Sequence, residues 1–197
     1  MRIVSGIFGG RSLKTIDSPG CRPAMSKVRG ALFSMLEARG VAWNGLRVLD
    51  LFAGSGSVAF EALSRGAAEA CFVEADRRVA ACIAENARRF GLASDRARIC
   101  QQTVEHFLKK RTQPPYDVIF ADPPYRMRQL PPALRAIVRG DWLKEGGMLA
   151  AEVEQELEPP HNDGLELLLD RTYGQTRILI WTRTTDTSPS TPALSIR

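Results

Sequence analysis

The sequence is poor in the residues that build covalent or metal-held scaffolds. It has four cysteines and two histidines in 197 residues. Cys21, Cys71, Cys82 and Cys100 lie far apart, without a C-x-x-C pair. That spacing argues against a zinc cage and a disulfide framework, and it fits a reducing cytosol. Long apolar runs are also missing: stretches such as Val118 to Ala121 and Ile178 to Trp181 are short, far below the roughly 20 residues that span a bilayer. Met1-Arg2-Ile3-Val4 leads into polar residues, so no secretory leader is expected. What remains, 44% hydrophobic and 25% charged, is the balance of a soluble globule. The length suits one domain with a modest extension.

The charge is unevenly placed. Residues 1–48 carry Arg2, Arg11, Lys14, Arg22, Lys27, Arg29, Arg39 and Arg47 against Asp17 and Glu37, while the rest of the chain is close to neutral. A cationic segment on a neutral body fits a polyanionic partner such as nucleic acid; solvated surface lysines and arginines would give the same count.

The hydrophobic periodicity predicts a regular alternation of elements. Arg2 to Leu13, with glycines among β-formers, reads as a hairpin or edge ribbon, and Asp17 to Pro23 as a turn-rich connection. Ser26 starts a helix running to about Arg39, with Val28, Leu32, Met35 and Leu36 on its inner face and Gly40 as its stop. Strands are expected at Arg47–Phe52, Ala70–Glu74, Arg98–Gln101, Tyr116–Ala121, Met148–Val153, Leu165–Arg171 and Thr176–Trp181. Helices are expected at Val58–Arg65, Arg77–Phe90, Val104–Lys110 and Leu130–Arg139. The fold class is therefore α/β, a doubly wound, mostly parallel seven-stranded sheet whose last, tightly joined pair adds an antiparallel edge. The expected organisation is a basic ribbon-and-helix extension at 1–43, a sheet domain at 44–183, and a Ser/Thr/Pro-rich tail at 184–197 that should be disordered.

Two motifs carry chemistry. Val48-Leu49-Asp50-Leu51-Phe52-Ala53-Gly54-Ser55-Gly56-Ser57 is a strand breaking into a glycine-rich turn and a helix. In an open α/β sheet the ligand crevice lies beyond the carboxyl ends of the strands, and Glu74, ending the next strand, can take both hydroxyls of a ribose. A nicotinamide dinucleotide and S-adenosylmethionine both fit that much. The fourth strand separates them, because it ends Phe120-Ala121-Asp122-Pro123-Pro124-Tyr125. Two prolines fix the backbone and remove two N–H donors, leaving carbonyls free to accept. An amine can then donate to Asp122 and to a neighbouring carbonyl while Tyr125 stacks a planar base. Accepting those hydrogens from a fixed direction aims the nitrogen lone pair at an electrophilic methyl, so positioning is the main contribution of the protein. A dehydrogenase would more often bring a His or Lys to this edge, and His106 and His161 look like surface residues.

These residues resemble the RsmD family of bacterial ribosomal RNA guanine-N2 methyltransferases. The likeness covers roughly residues 1 to 183. It rests on Leu49 to Gly56, Glu61-Ala62-Leu63-Ser64-Arg65-Gly66-Ala67, Phe72-Val73-Glu74 and Asp122 to Tyr125, together with Arg22-Pro23 and Val28-Arg29-Gly30-Ala31-Leu32-Phe33. The glycine and Asp-Pro-Pro-Tyr motifs are shared by many amino-methyltransferases; the N-terminal segment is the more specific part. The resemblance implies a Rossmann-like S-adenosylmethionine-dependent enzyme. Its implied substrate is guanine 966 of 16S ribosomal RNA in a largely assembled 30S subunit. It implies a cofactor lying over Asp50, Phe52, Gly54 and Gly56, with Glu74 and Ala75 at the ribose, Gln102 and Thr103 near the adenine, and Asp122 beside the methyl group. The chain departs from the family in having Gly30 at a usually acidic position, Met25 for a usual threonine, and Gln101-Gln102-Thr103 where many relatives have Asp or Asn.

The expected catalytic turn is Asp122, Pro123, Pro124 and Tyr125. Arg22, Lys27 and Arg29 are expected to face RNA phosphates, with Arg126 and Arg128 flanking an extruded base. A cytoplasmic monomer without metal or membrane is expected. The rival readings are a DNA adenine or protein glutamine amino-methyltransferase, and a non-catalytic RNA-binding assembly factor that keeps the cofactor fold.

Overall fold

The structure is a computed structural model that describes residues 1–16, 26–124 and 129–184. Its elements follow in the order α1 (Ser26–Glu37), β1 (Arg47–Leu51), α2 (Ser57–Ser64), β2 (Glu69–Glu74), α3 (Arg77–Arg89), β3 (Ala97–Gln101), α4 (Val104–Leu108), β4 (Tyr116–Ala121), α5 (Leu130–Arg139), β5 (Leu143–Glu154), β6 (Leu165–Tyr173) and β7 (Thr176–Arg183). One seven-stranded sheet has the order β3-β2-β1-β4-β5-β7-β6. The first five strands in that order are parallel; β7 runs antiparallel to both β5 and β6. Chain order reverses between β1 and β4, which opens a crevice at their carboxyl ends.

Strand alternation sorts the side chains into two cores. Val48, Phe72, Val118, Phe120 and Ala150 face α1, α2, α3 and the N-terminal ribbon, where Ile3, Phe8, Leu32, Leu36, Phe60 and Ile83 complete the packing. Leu49, Leu51, Val73, Ile119, Leu149 and Trp181 face α4 and α5, against Phe107, Leu134 and Ile137. Both faces are thus covered, as a parallel sheet requires.

β4 and α5 lie where periodicity puts them. β5 begins five residues earlier than expected, at Leu143. Tyr116 pairs with Leu143 and Val118 with Met148, so β5 bulges between these contacts, over the Gly146-Gly147 stretch that hides the strand's start from an alternation test.

The ribbon is a short hairpin with one antiparallel bridge, Arg2 to Ser12. It lies on the end of α2: Ile7 N–H donates to Ser64 O at 2.8 Å, Phe8 N–H to Ser64 Oγ at 2.9 Å. Gly6 has φ +80° there, and a Cβ on it would sit 1.9 Å from the Ser64 carbonyl oxygen. Beside it, the fully buried Glu61 carboxylate accepts from Val4 N–H at 2.7 Å, Ser5 N–H at 2.9 Å and Arg65 Nε at 3.1 Å.

Arg29 completes that cluster, which corrects its expected role. It is only 1% exposed, its Nε lies 3.7 Å from Glu61, and its Nη2 donates to the Arg2 carbonyl. Burial foremost, opposed by Glu61 and reinforced by Arg65, lowers its pKa. Arg29 ties α1 to α2 and the ribbon and cannot face RNA. Arg22 and the rest of the 17–25 connection lie outside the described residues, as do the Lys27 side chain and residues 185–197 of the expected tail. Thr184 is in place, donating its N–H to Gly164 O at 3.1 Å.

Candidate active site

The crevice floor is built where β1 ends. Phe52, Gly54 and Gly56 have φ of 62°, 52° and 72°, so the chain turns sharply out of the sheet before entering α2. Gly56 precedes that helix with no side-chain cap of its own, and the Ala59 amide in the first turn bonds Asp50. A Cβ on Gly56 would sit 3.0 Å from the Phe60 and Phe72 rings. The loop therefore rests directly on this aromatic pair. Ser55 Oγ lies 3.6 Å from the sulfur of Met1, so the first residue of the chain reaches the glycine loop.

Glu74 stands at the end of β2, between two loops. One carboxylate oxygen accepts from Gly54 N–H at 2.9 Å and the other from Asp76 N–H at 2.8 Å. Each oxygen keeps a further acceptor site. Ala75 is exposed between Glu74 and Asp76, and Asp76 caps α3 by accepting from Arg78 N–H at 2.7 Å. Gln102 N–H donates to the Glu74 carbonyl at 3.1 Å, which brings the β3–α4 turn alongside. Thr103 serves its own helix, since its hydroxyl accepts from His106 N–H at 3.2 Å and caps α4.

Asp50 is buried beneath the loop and one of its oxygens, Oδ2, has no hydrogen-bond partner. Burial pushes its carboxyl well above the usual range; Asp122 and Glu74 add to the rise, and a bond from the Ala59 backbone opposes it. Asp122 opens into the crevice at the end of β4 yet is set deep among protein atoms. That setting, with the Glu152 charge second, raises its carboxyl to about 8. Pro123 is buried and Pro124 exposed. Tyr125, Arg126 and Arg128 lie outside the described residues.

The glycine loop, Glu74 and the start of the Asp-Pro-Pro turn thus meet at one sheet edge. A family described as conserved hypothetical protein 95 matches residues 1–182. Ribosomal RNA small subunit methyltransferase D of Haemophilus influenzae is 34% identical over 175 residues, 88% of this chain and 89% of that protein. Its Escherichia coli K12 namesake is 35% identical over 156 residues, 79% and 76% of the two chains. The chain belongs to the RsmD family. The yhhF protein of Escherichia coli superposes with a TM-score of 0.84 at 30% identity, covering 94% of this chain and 99% of that one. A Thermus thermophilus protein does so with 0.76 at 34%, covering 91% and 98%. The Rossmann-like α/β fold is that of these relatives.

One residue of this site escaped the sequence reading. Glu152, half-buried on β5, faces the same side of the sheet as Ala150, just as Asp122 follows Phe120 on β4. Ala121 pairs with Ala151, so Asp122 and Glu152 are level on neighbouring strands. The Thr176 hydroxyl on β7 lies 3.5 Å from Glu152 Oε1. Burial raises the Glu152 carboxyl and the Thr176 bond lowers it. Its signal was available: an acid interrupting an apolar alternation at a strand's carboxyl end.

Proposed function

We propose that the protein transfers a methyl group from S-adenosylmethionine to the exocyclic N2 amine of a guanine in 16S ribosomal RNA, within the 30S particle. The observation that carries this reading is the meeting of the Gly54–Gly56 loop, Glu74 and Asp122 at one carboxyl edge. The residues present suit the cofactor. Asp50 Oδ2 is a buried acceptor without a donor, and the Asp122 and Glu74 charges add to the cost of ionising Asp50. A ligand with a sulfonium and an ammonium relieves that cost, whereas a dinucleotide diphosphate adds to it.

When bound, S-adenosylmethionine supplies a methyl on a positively charged sulfur and departs as a neutral thioether. Asp50 and the glycine loop would hold its methionine end, with Glu74 and Ala75 at the ribose and Gln102 beside the adenine. Asp122 and the Pro123 carbonyl would accept the two hydrogens of the amine and orient its lone pair toward the methyl donor. Pro124 keeps that turn rigid and Tyr125 stacks the base. The nitrogen would gain one bond to the methyl carbon, and the donor sulfur would keep the electron pair of the C–S bond. The nitrogen then sheds one proton to a carboxylate. Arg22 and Lys27 contact RNA phosphates and Arg126 and Arg128 flank the extruded base, the N-terminal 43 residues serving as the RNA-facing extension. On this reading the protein works in the cytoplasm as a monomer and needs no metal.

The test is methyl transfer from labelled cofactor to small subunits isolated from cells lacking the gene, followed by mass mapping of the ribosomal RNA nucleosides. One new N2-methylguanosine is expected. Label on total DNA or on release factors instead, or cofactor binding without any transfer, would overturn the reading.

A further inference from the structure

We propose that Glu152 is a second substrate-contacting carboxylate, which pairs with Asp122 to receive the donor edge of guanine, Glu152 taking N1–H and Asp122 an N2 hydrogen. This inference deepens the guanine-N2 reading and rests on it.

The geometry comes from register. Asp122 and Glu152 follow the paired Ala121 and Ala151 on adjacent parallel strands, and neighbouring strands lie about 4.8 Å apart. By the same alternation Glu74 stands level with them on β2, and Asp50 one step lower on β1. Four neighbouring strands, β2, β1, β4 and β5, thus each bring one acid to the same face of the sheet. Asp50 and Glu74 underlie the cofactor end of the row, and Asp122 and Glu152 form its other end. Thr176, which pairs with Glu154 across the β5–β7 contact, bonds Glu152 through Oε1.

Two ionised carboxylates offer acceptors only. The Watson–Crick edge of guanine presents three hydrogens in a row, N1–H and both on N2, and so matches them. Adenine presents an unprotonated N1, whose lone pair would meet a carboxylate oxygen. The pair therefore selects guanine among bases with an exocyclic amine, where Asp122 alone would bind either amine. It also has capacity for the proton that N2 releases.

That proton is taken up only when the pair is ionised, so the rate should climb with pH toward about 8, where Asp122 titrates. The other acids around the pair are Asp50 and Glu74 on the neighbouring strands and Glu154 further along β5. Tyr173 and Arg177 on the β6–β7 hairpin are engaged with Met35 and Asp170. Removing the Glu152 charge lowers the Asp122 pKa, so the limb of the profile moves to lower pH.

The test uses Glu152→Gln and Glu152→Ala in single-turnover methyl transfer to small subunits lacking the modification. A parallel substrate is subunits reconstituted with 2-aminopurine at the target, which keeps the N2 amine but has an unprotonated N1. Wild type should prefer guanine, and Glu152→Gln should lose about 10- to 100-fold on guanine, the worth of a hydrogen bond to a charged acceptor. Because the glutamine amide can donate to an unprotonated N1, Glu152→Gln should recover rate on 2-aminopurine where Glu152→Ala does not, and its pH limb should move down. Cofactor affinity by calorimetry and the melting temperature should stay near wild type. If Glu152→Gln keeps the wild-type base preference and pH limb, or if both variants lose cofactor affinity and rate together, the inference is wrong. If the wild type itself transfers no methyl to guanine, the function reading has failed first.

Discussion

Replacing Glu61 with alanine should loosen the N-terminal ribbon and destabilise the whole fold. Glu61 is fully buried and its two oxygens serve Val4 N–H, Ser5 N–H, Arg65 and Arg29. The Val4 and Ser5 residues are exposed, so their amides can turn to water when the acceptor is lost. Arg29 cannot: it is 1% exposed, and its Nε and Nη1 already lack hydrogen-bond partners. The dominant cost is therefore an uncompensated buried guanidinium, about 3–5 kcal/mol for breaking such a pair. For a chain of this size that corresponds to a fall of roughly 6–20 °C in Tm. Urea unfolding gives the global term, and amide exchange at Val4, Ser5, Ile7 and Phe8 reports ribbon release. The double variant Arg29→Met with Glu61→Gln should recover most of the loss, because it removes the stranded charge along with its partner. A Glu61→Ala loss below about 1 kcal/mol, well short of a broken buried pair, with unchanged exchange at Val4 and Ser5, would refute the assignment.

Other outcomes follow from the same geometry. Asp122→Ala should leave cofactor affinity near wild type in calorimetry while turnover falls about 10²-fold or more, the size expected when positioning is lost; wild-type turnover would remove Asp122 from the chemistry. Because the Asp122 carboxyl is raised from 3.8 to about 8 in the fold, the folded state holds a proton that the unfolded chain has released. Its contribution to stability therefore falls as pH climbs from about 4 to about 8, and Asp122→Asn should raise Tm more at pH 8 than at pH 5. Gly56→Ala forces a side chain into φ +72° and against Phe60 and Phe72; a loss of about 1–3 kcal/mol and weakened cofactor binding should show in melts with and without cofactor. The Cys71 and Cys100 sulfurs lie 3.6 Å apart, and the Cys71 bond, with Arg98, lowers the Cys100 thiol to about 6. Iodoacetamide at pH 7 should consequently label Cys100 ahead of Cys71 and Cys82, read by peptide mass mapping.

The sequence made some of this legible through local rules and concealed the rest in tertiary ones. Tyr116–Ala121 was readable to the residue because a β-forming segment, apolar apart from Asp117, lies between Pro115 and Asp122. Leu130–Arg139 was readable because prolines open it and Gly140 closes it. The early part of β5 was hidden by Gly146-Gly147, where a bulge interrupts the alternation. Arg29 was misread by counting charge along the chain instead of around the helix. It lies three, four and seven residues before Leu32, Phe33 and Leu36, all buried, and that spacing puts it on the inner face. Glu61, flanked by Phe60, Ala62 and Leu63 in a short apolar helix, carried the same warning. A cation and an anion on two inward faces are each other's explanation, but which helices meet is not written in either one.

The carboxylate row shows how the fold turns a stability cost into selectivity. Acids of β2, β1, β4 and β5 continue the face that buries Phe72, Val48, Phe120 and Ala150, so the alternation that builds the core also stacks negative charge at its end. Asp50, Asp122 and Glu152 all have raised carboxyls, burial being the largest cause in each case. Such groups are relieved by a ligand that brings positive charge or N–H donors and are made worse by one that brings phosphate. The glycine turn alone accommodates either kind of nucleotide cofactor. On the proposed function, the line of acids beyond that turn would disfavour a diphosphate and offer acceptors to an amine laid across the crevice. Cofactor choice and base choice would, on that reading, both follow from a single feature, the register that keeps Glu74, Asp122 and Glu152 level across the sheet.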